Sequence, residues 1–162
     1  MKKSLLALSA AALVLVGAGC SFDDVPQLPG GGDDEYGSVI FPEGVEAAVE
    51  APLTVSVGDE FEIVATLTNN SGEAQILHSI DIGLDYLSGI AITGSNPQFT
   101  DQIDLPDDTK SHFLIVDLAE GESVDVSFSA TALTAGDYSG TFDVCMDQGY
   151  ACSFLQVRTL VQ

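Results

Sequence analysis

Beyond position 20, apolar and polar residues alternate with a period of two, and no segment keeps a helical period. In FEIVATLT, residues 61–68, every second side chain from Phe61 to Leu67 is apolar. In AQILHSIDIGL, residues 74–84, the same alternation puts Ile76, His78, Ile80, Ile82 and Leu84 on one face, opposite Gln75, Ser79 and Asp81. Both runs therefore predict β-strands with one buried face.

Further short runs separated by Gly, Pro, Asn or Asp predict additional strands. They lie at about 53–57, 90–93, 112–118, 123–131, 138–146 and 152–161. Between them, residues 93–110 predict one long loop. The pattern indicates an all-β domain, a single two-sheet Greek-key sandwich of about seven to nine strands.

Two local motifs refine this prediction. In LTAGDY, the spacing of Leu133, Gly136 and Tyr138 is typical of a tyrosine corner, in which the phenol hydroxyl bonds to upstream backbone. In TFDVCMDQGYACSFLQV, a four-residue DQGY turn would close a hairpin that sets Cys145 opposite Cys152. The alternation places this predicted disulfide on the more polar face of the hairpin.

The first nineteen residues have the layout of an export signal peptide: Lys2 and Lys3, an apolar stretch from Leu5 to Val16, then small residues. The apolar stretch has 12 residues, too few for the ~20 that span a bilayer as a helix. A signal peptide is therefore favoured over a permanent transmembrane helix.

Ala18, Gly19 and Cys20 resemble the lipobox of bacterial lipoprotein precursors. This resemblance implies removal of residues 1–19, an acylated Cys20 as the new N-terminus and membrane anchoring through that lipid. Ser21, rather than Asp, after the cysteine favours the outer membrane, and either face of the envelope stays possible. An anchored, exported chain also resolves the odd cysteine count, because Cys145 and Cys152 remain as a pair that persists in an oxidising compartment.

Residues 20–37 predict a flexible acidic linker, since SFDDVPQLPGGGDDEYG combines prolines, three successive glycines and five acids with few apolar residues. Such a linker would hold the sandwich, predicted for 38–162, roughly 20–25 Å from the membrane.

Two segments, VSVGDEFEIVATLTNNSGEA and VDLAEGESVDVSFSATALTAGDYSG, resemble the bacterial immunoglobulin-like modules of surface proteins, including cell-adhesion-related domains. The resemblance covers about residues 53–146. It implies an immunoglobulin-like sandwich and says little about function.

Charge excludes one class of partner. The chain has 25 acidic and four basic residues, a net charge of −21. Nucleic-acid binding needs clustered Lys and Arg, so we expect no nucleic-acid partner.

Candidate chemistry is sparse. His78 is expected in the core and His112 at the surface, and neither has the partner spacing of a zinc site. Asp101, Asp104, Asp107 and Asp108 offer calcium-type oxygen ligands without the spacing of a calcium loop, so a solvated acidic loop is favoured over cation binding. We expect no cofactor and no enzyme activity.

The sequence thus favours a lipid-anchored envelope protein whose non-enzymatic sandwich binds protein or glycan or serves as an accessory subunit. Calcium binding or a purely structural envelope role are alternatives, and a hydrolase with an unrecognised site is less favoured.

Overall fold

The domain consists of two β-sheets packed face to face around one apolar core. A computed structural model describes residues 40–162. The signal peptide, Cys20 and linker expected before this range lie outside the described residues. In chain order the strands are β1 (Val45–Glu50), β2 (Thr54–Val55), β3 (Glu60–Asn69), β4 (Gln75–Gly83), β5 (Ile90–Asn96), β6 (Asp101–Asp104), β7 (Thr109–Leu118), β8 (Ser123–Ala132), β9 (Gly136–Met146) and β10 (Ala151–Val161).

The four-stranded sheet has the order β1-β3-β8-β5, and the six-stranded sheet has the order β2-β10-β9-β4-β7-β6. Every pairing is antiparallel except that of β2 with β10, which is parallel. One short helix, α1 (Leu84–Leu87), follows β4, and a 3₁₀ turn (Asp147–Gly149) joins β9 to β10. No helix in this part of the chain is long and apolar enough to cross a membrane.

The predicted all-β sandwich is confirmed, although residues 40–162 contain ten strands rather than seven to nine. The predicted loop at 93–110 is wrong: β5 runs to Asn96, β6 occupies Asp101–Asp104 and β7 begins at Thr109. All four residues of strand β6 are exposed, so the sequence lacks the alternation of apolar and polar residues that would predict a strand there. Backbone pairing with β7 and an ion pair between Lys110 and Asp104, 2.6 Å long, define it instead.

Aromatic rings connect the two sheets. His112 on β7 contacts Phe128 on β8 edge to face, with ring centroids 5.4 Å apart, and Phe128 contacts Phe142 on β9 in the same way at 5.8 Å. Beside them, the buried Tyr86 of α1 shares a hydrogen bond of 2.9 Å with the hydroxyl of Thr159. This bond ties the helix to β10.

Asn69 is a buried polar side chain at the end of β3. Its amide donates hydrogen bonds to the carbonyl oxygens of Glu73 and Leu118, at 2.8 and 3.0 Å, and its Oδ1 accepts bonds from the backbone and the hydroxyl of Ser71. Asn69 therefore joins the end of β7 to the β3–β4 turn, which connects the two sheets.

The residues of the expected tyrosine corner are arranged differently. The ring of Tyr138 packs on Gly89 and Gly136, where an added Cβ would come within 1.9 and 2.8 Å of it. Leu133 is exposed, and its N–H donates to the carbonyl of Gly89. Within residues 40–162 the Tyr138 hydroxyl forms no hydrogen bond to upstream backbone, so packing, rather than the expected bond, holds this corner.

Candidate functional site

The outer face of the six-stranded sheet, which points away from the core, carries the unusual chemistry of the domain. The register of β9 with β10 pairs Cys145 with Cys152, as the sequence predicted, and the two residues form a disulfide with Cα atoms 4.1 Å apart. Phe142, Val144 and Met146 face the core, so the disulfide lies on the opposite, more polar face as expected. This bridge locks the last hairpin.

Two acids lie next to the disulfide. Asp81 on β4 is paired across the strands with Asp143 on β9, and their exposed fractions are only 8% and 6%. In each carboxyl group, Oδ1 is buried without a hydrogen-bond partner. The Sγ of Cys145 lies 3.4 Å from Oδ2 of Asp81, but a disulfide sulfur carries no proton to donate. Neither sulfur therefore stabilises the negative charge through a hydrogen bond.

Burial has a direct effect on Asp143. Loss of solvation raises the pKa of its carboxyl group to about 6, a hydrogen bond with Thr141 lowers it, and the charges of Asp81 and Asp107 raise it further. Asp143 consequently holds a proton at mildly acidic pH that a solvated aspartate would have lost.

Neither histidine lies where it was expected: His78 is half-buried outside the core, and His112 is in the core. Leu77 pairs with Met146 of β9 and Ser79 pairs with the adjacent Cys145, so His78 is the extra residue of a β-bulge against β9. The insertion shifts the alternation by one residue: Leu77 enters the core and Ile76 is exposed. The prediction that His78 and Ile76 face the core is therefore wrong, while it is confirmed for Ile80 and Ile82.

His112, expected at the surface, is completely buried between the rings of Phe99 and Phe128. Its Nδ1 lies 3.3 Å from the carbonyl oxygen of Ile80, which can only accept, so Nδ1 carries the proton. Burial is the largest cause that lowers the pKa of the imidazole, and Lys110 adds to it. His112 is thus a neutral core residue.

A surface cleft of about 610 Å³ opens beside His78. Its lining includes Ile40, Ile76, His78, Ile115, Asp147 and Ala151. Two of these residues have left-handed backbone conformations, Ile115 with φ of 54° and Asp147 with φ of 45°. This conformation is strained for a β-branched residue such as Ile115, and strain of this kind concentrates at functional sites. The ring of Phe113 packs edge to face against His78 and stabilises its position.

The four acids considered for calcium do not converge. Asp104 pairs with Lys110, and Asp107 accepts a hydrogen bond of 2.7 Å from the hydroxyl of Thr109. Asp101 accepts a bond from the N–H of Gln102, and Asp108 occupies a turn with φ of 61°. In the described range, the one set of three potential ligand atoms within 4.8 Å is that of Asp81, Cys145 and Cys152. The disulfide removes both thiolates from this set.

Sequence reasoning missed the acid pair, the bulge at His78 and the strained Ile115. Alternation did place Asp81 and Asp143 on outer faces, but it carries no information about how deeply an outer face is covered. The bulge left no glycine or proline in the sequence to mark it.

Comparisons with known proteins bear on the fold alone. No protein-family model and no curated protein sequence matches the chain. Among solved structures, α2-macroglobulin of Escherichia coli, activated by porcine elastase, matches with a TM-score of 0.51 and 17% identity over 74% of this chain and 9% of that protein. This chain therefore spans a small part of that larger protein's length.

Two isolated modules also match. A CARDB domain from Pyrococcus furiosus, solved with di-metal ions, has a TM-score of 0.43 and 17% identity, covering 76% of this chain and 92% of that one. A cohesin module of a Clostridium perfringens family 33 glycoside hydrolase has a TM-score of 0.46 and 14% identity, covering 73% and 98%. The two packed sheets, together with the fold shared with that segment of α2-macroglobulin, define the chain's fold class as an immunoglobulin-like β-sandwich.

Proposed function

We propose that this protein is a lipid-anchored protein of the bacterial cell envelope, whose non-enzymatic sandwich binds a protein or glycan partner or serves as an accessory subunit of an envelope assembly. The observation that carries the proposal is the cysteine arrangement. Cys145 and Cys152 are bound to each other, so Cys20, directly behind a signal-peptide pattern, is the one cysteine left for a lipid.

The cell envelope suits the other features of the chain. A structural disulfide persists in an oxidising compartment outside the cytoplasm. The acids of the linker repel an anionic membrane surface and keep the sandwich away from it. The sequence after the cysteine favours the outer membrane.

The cleft beside His78 is the surface that we assign to partner binding. Its size lies within the ~300–1,000 Å³ of ligand sites. Exposed Ile76 and Ile115 supply apolar contact, and Asp147 supplies charge at its rim. A cleft that is partly apolar, and that is lined by residues with strained backbone, is suited to bind a side chain or sugar group that protrudes from a partner.

Metabolic labelling with a clickable palmitate analogue tests the anchor. The full-length protein should be labelled and remain in the membrane fraction, and Cys20→Ala should abolish both. Cys152→Ala is the matched control, because it removes a different cysteine and should keep the label. Equal labelling of the Cys20→Ala variant would refute lipidation.

Photo-crosslinking in intact cells tests binding. A photoreactive amino acid at Ile76, in the cleft, should capture one defined envelope component, whereas the same group at the exposed Thr66 of the other sheet should not. Identical products from both positions, or none from Ile76, would count against a binding role for the cleft.

A further inference from the structure

One edge of the six-stranded sheet is largely uncovered. Strand β2 pairs only with Leu160 and Val161, at the end of β10. The rest of β10, from Ala151 to Thr159, pairs with β9 on one side and with no strand of residues 40–162 on the other. We call Cys152–Arg158 the free edge.

Two features of the structure show which backbone groups point out of the free edge. Leu160 and Gln162 donate their N–H groups outward, to the carbonyl oxygens of Leu53 and Val55, at 3.0 and 2.9 Å. The Cα atoms of Cys145 and Cys152 lie 4.1 Å apart, the short spacing of a pair that exchanges no backbone hydrogen bonds. Both features indicate that the N–H and C=O groups of the even-numbered residues of β10 point outward. Because the direction alternates along a strand, the outward groups include those of Phe154 and Gln156.

The side chains along this edge do not protect it. Natural edge strands are usually blocked by charges, prolines or bulges. Segment 151–162 contains no acid and no proline, and its one charge, Arg158, is paired with Asp137. Large apolar side chains lie exposed along it instead: Phe154 at 75%, Tyr150 at 72% and Leu53 at 80%.

The negative charge of the domain indicates which kind of segment can pair with this edge. Residues 40–162 hold 20 of the 25 acids and two basic residues, a net charge of −18, so a second copy of the domain is repelled. Acids also mark the two ends of the free edge. Asp147 lies in the turn before β10, and Glu50 lines a cleft of about 460 Å³ with Gln156 and Arg158.

We propose that the free edge binds an extended segment of a partner protein as an added β-strand, with apolar side chains in its centre and Lys or Arg at its ends. This inference rests on the proposed function: it gives the partner a second contact surface, separate from the cleft beside His78, and names the chemistry of the partner's segment. The seven residues Cys152–Arg158 accommodate a strand about 20 Å long. Backbone hydrogen bonds supply affinity, and Phe154 and the terminal acids select the segment.

The test uses residues 21–162, which contain the complete core, and two synthetic heptapeptides. The probe is Lys-Val-Thr-Val-Thr-Val-Lys with blocked termini, and the comparison peptide has Glu in place of both Lys. Nuclear magnetic resonance hydrogen exchange should show fast exchange at Phe154 and Gln156 in the free protein. The Lys peptide should slow exchange at these alternate amides, and the Glu peptide should bind at least tenfold more weakly.

A backbone variant separates strand addition from side-chain contact. Gln156→Pro removes an outward N–H and no bond to β9, so the fold should persist while affinity for the Lys peptide falls at least tenfold. Gln156→Ala, which keeps the N–H, is the matched control and should bind as the wild type does. Circular dichroism of all variants checks the fold.

Four outcomes would overturn the inference. The first is that the Lys peptide does not bind at millimolar concentration, and the second is that Gln156→Pro binds this peptide as tightly as the wild type. The third is that the N-terminal segment of the chain already protects the edge amides from exchange in the free monomer. The fourth is that the domain self-associates and that Gln156→Pro abolishes the self-association. Each leaves the palmitate and crosslinking results unaffected, so failure of the edge is distinguishable from failure of the proposed function.

Discussion

Asp81 and Asp143 face one another across two central strands, and each has a carboxyl oxygen that is buried without a hydrogen-bond partner. Two ionised carboxylates in this arrangement repel each other, and both have lost most of their water. The sandwich therefore carries a destabilising element on the same face as its disulfide.

The acid pair predicts an unusual pH dependence. Because the folded pKa of Asp143 is about 6 and the unfolded value about 3.9, the folded state holds the extra proton between these values. The contribution of this proton to the free energy of unfolding is fully present below pH ~3.9 and is lost as the pH rises through 6. Asp143→Asn should remove this loss and raise stability at pH 7 by about 1–2 kcal/mol.

Thermal melts between pH 4.5 and 7.5 measure the effect. Asp117→Asn, an exposed residue of β7, is the control because it removes the same formal charge. Equal gains from both variants at pH 7 would assign the effect to overall charge rather than to the buried pair.

The disulfide predicts a moderate loss of stability when it is removed. Closing the short loop between Cys145 and Cys152 is worth about 2–2.5 kcal/mol in the chain-entropy model. Urea unfolding of residues 21–162 with Cys145→Ala and Cys152→Ala should show a loss of this size. A wild type that unfolds identically with and without reductant would contradict it.

Gly89 is predicted to tolerate no side chain. A Cβ at this position would lie 1.9 Å from the ring of Tyr138, so Gly89→Ala must displace a packed aromatic ring and should cost about 1–3 kcal/mol. Gly94→Ala has open space around the new methyl group and should leave the melting temperature almost unchanged. Similar melting temperatures for the two variants would refute the packing of Tyr138 on Gly89.

Asn69 and Asn70 are predicted to differ sharply despite being neighbours. Asn69→Ala removes the side-chain partner of the Glu73 and Leu118 carbonyl groups and of the Ser71 N–H, and should cost about 2–4 kcal/mol. The exposed side chain of Asn70 makes no comparable bonds, so Asn70→Ala should change stability by less than about 0.5 kcal/mol. Chemical denaturation of both variants measures the contrast.

The alternation of apolar residues was sufficient to predict β3, β8, β9 and the hairpin register that pairs Cys145 with Cys152. Regular strands with one buried face must bury every second side chain, and a four-residue turn specifies the opposing residues. The same local information predicts an all-β sandwich, because each such face needs another to cover it.

Only the tertiary structure decided where that alternation breaks and how far each face is covered. The bulge at His78 reverses the expected positions of Ile76 and Leu77, and the packing of Phe99 and Phe128 encloses His112. The burial of Asp81 and Asp143 likewise depends on residues from several strands. Local periodicity determines which way a side chain points along a regular strand; its solvent exposure and the pairing of a sheet edge depend on residues distant in sequence.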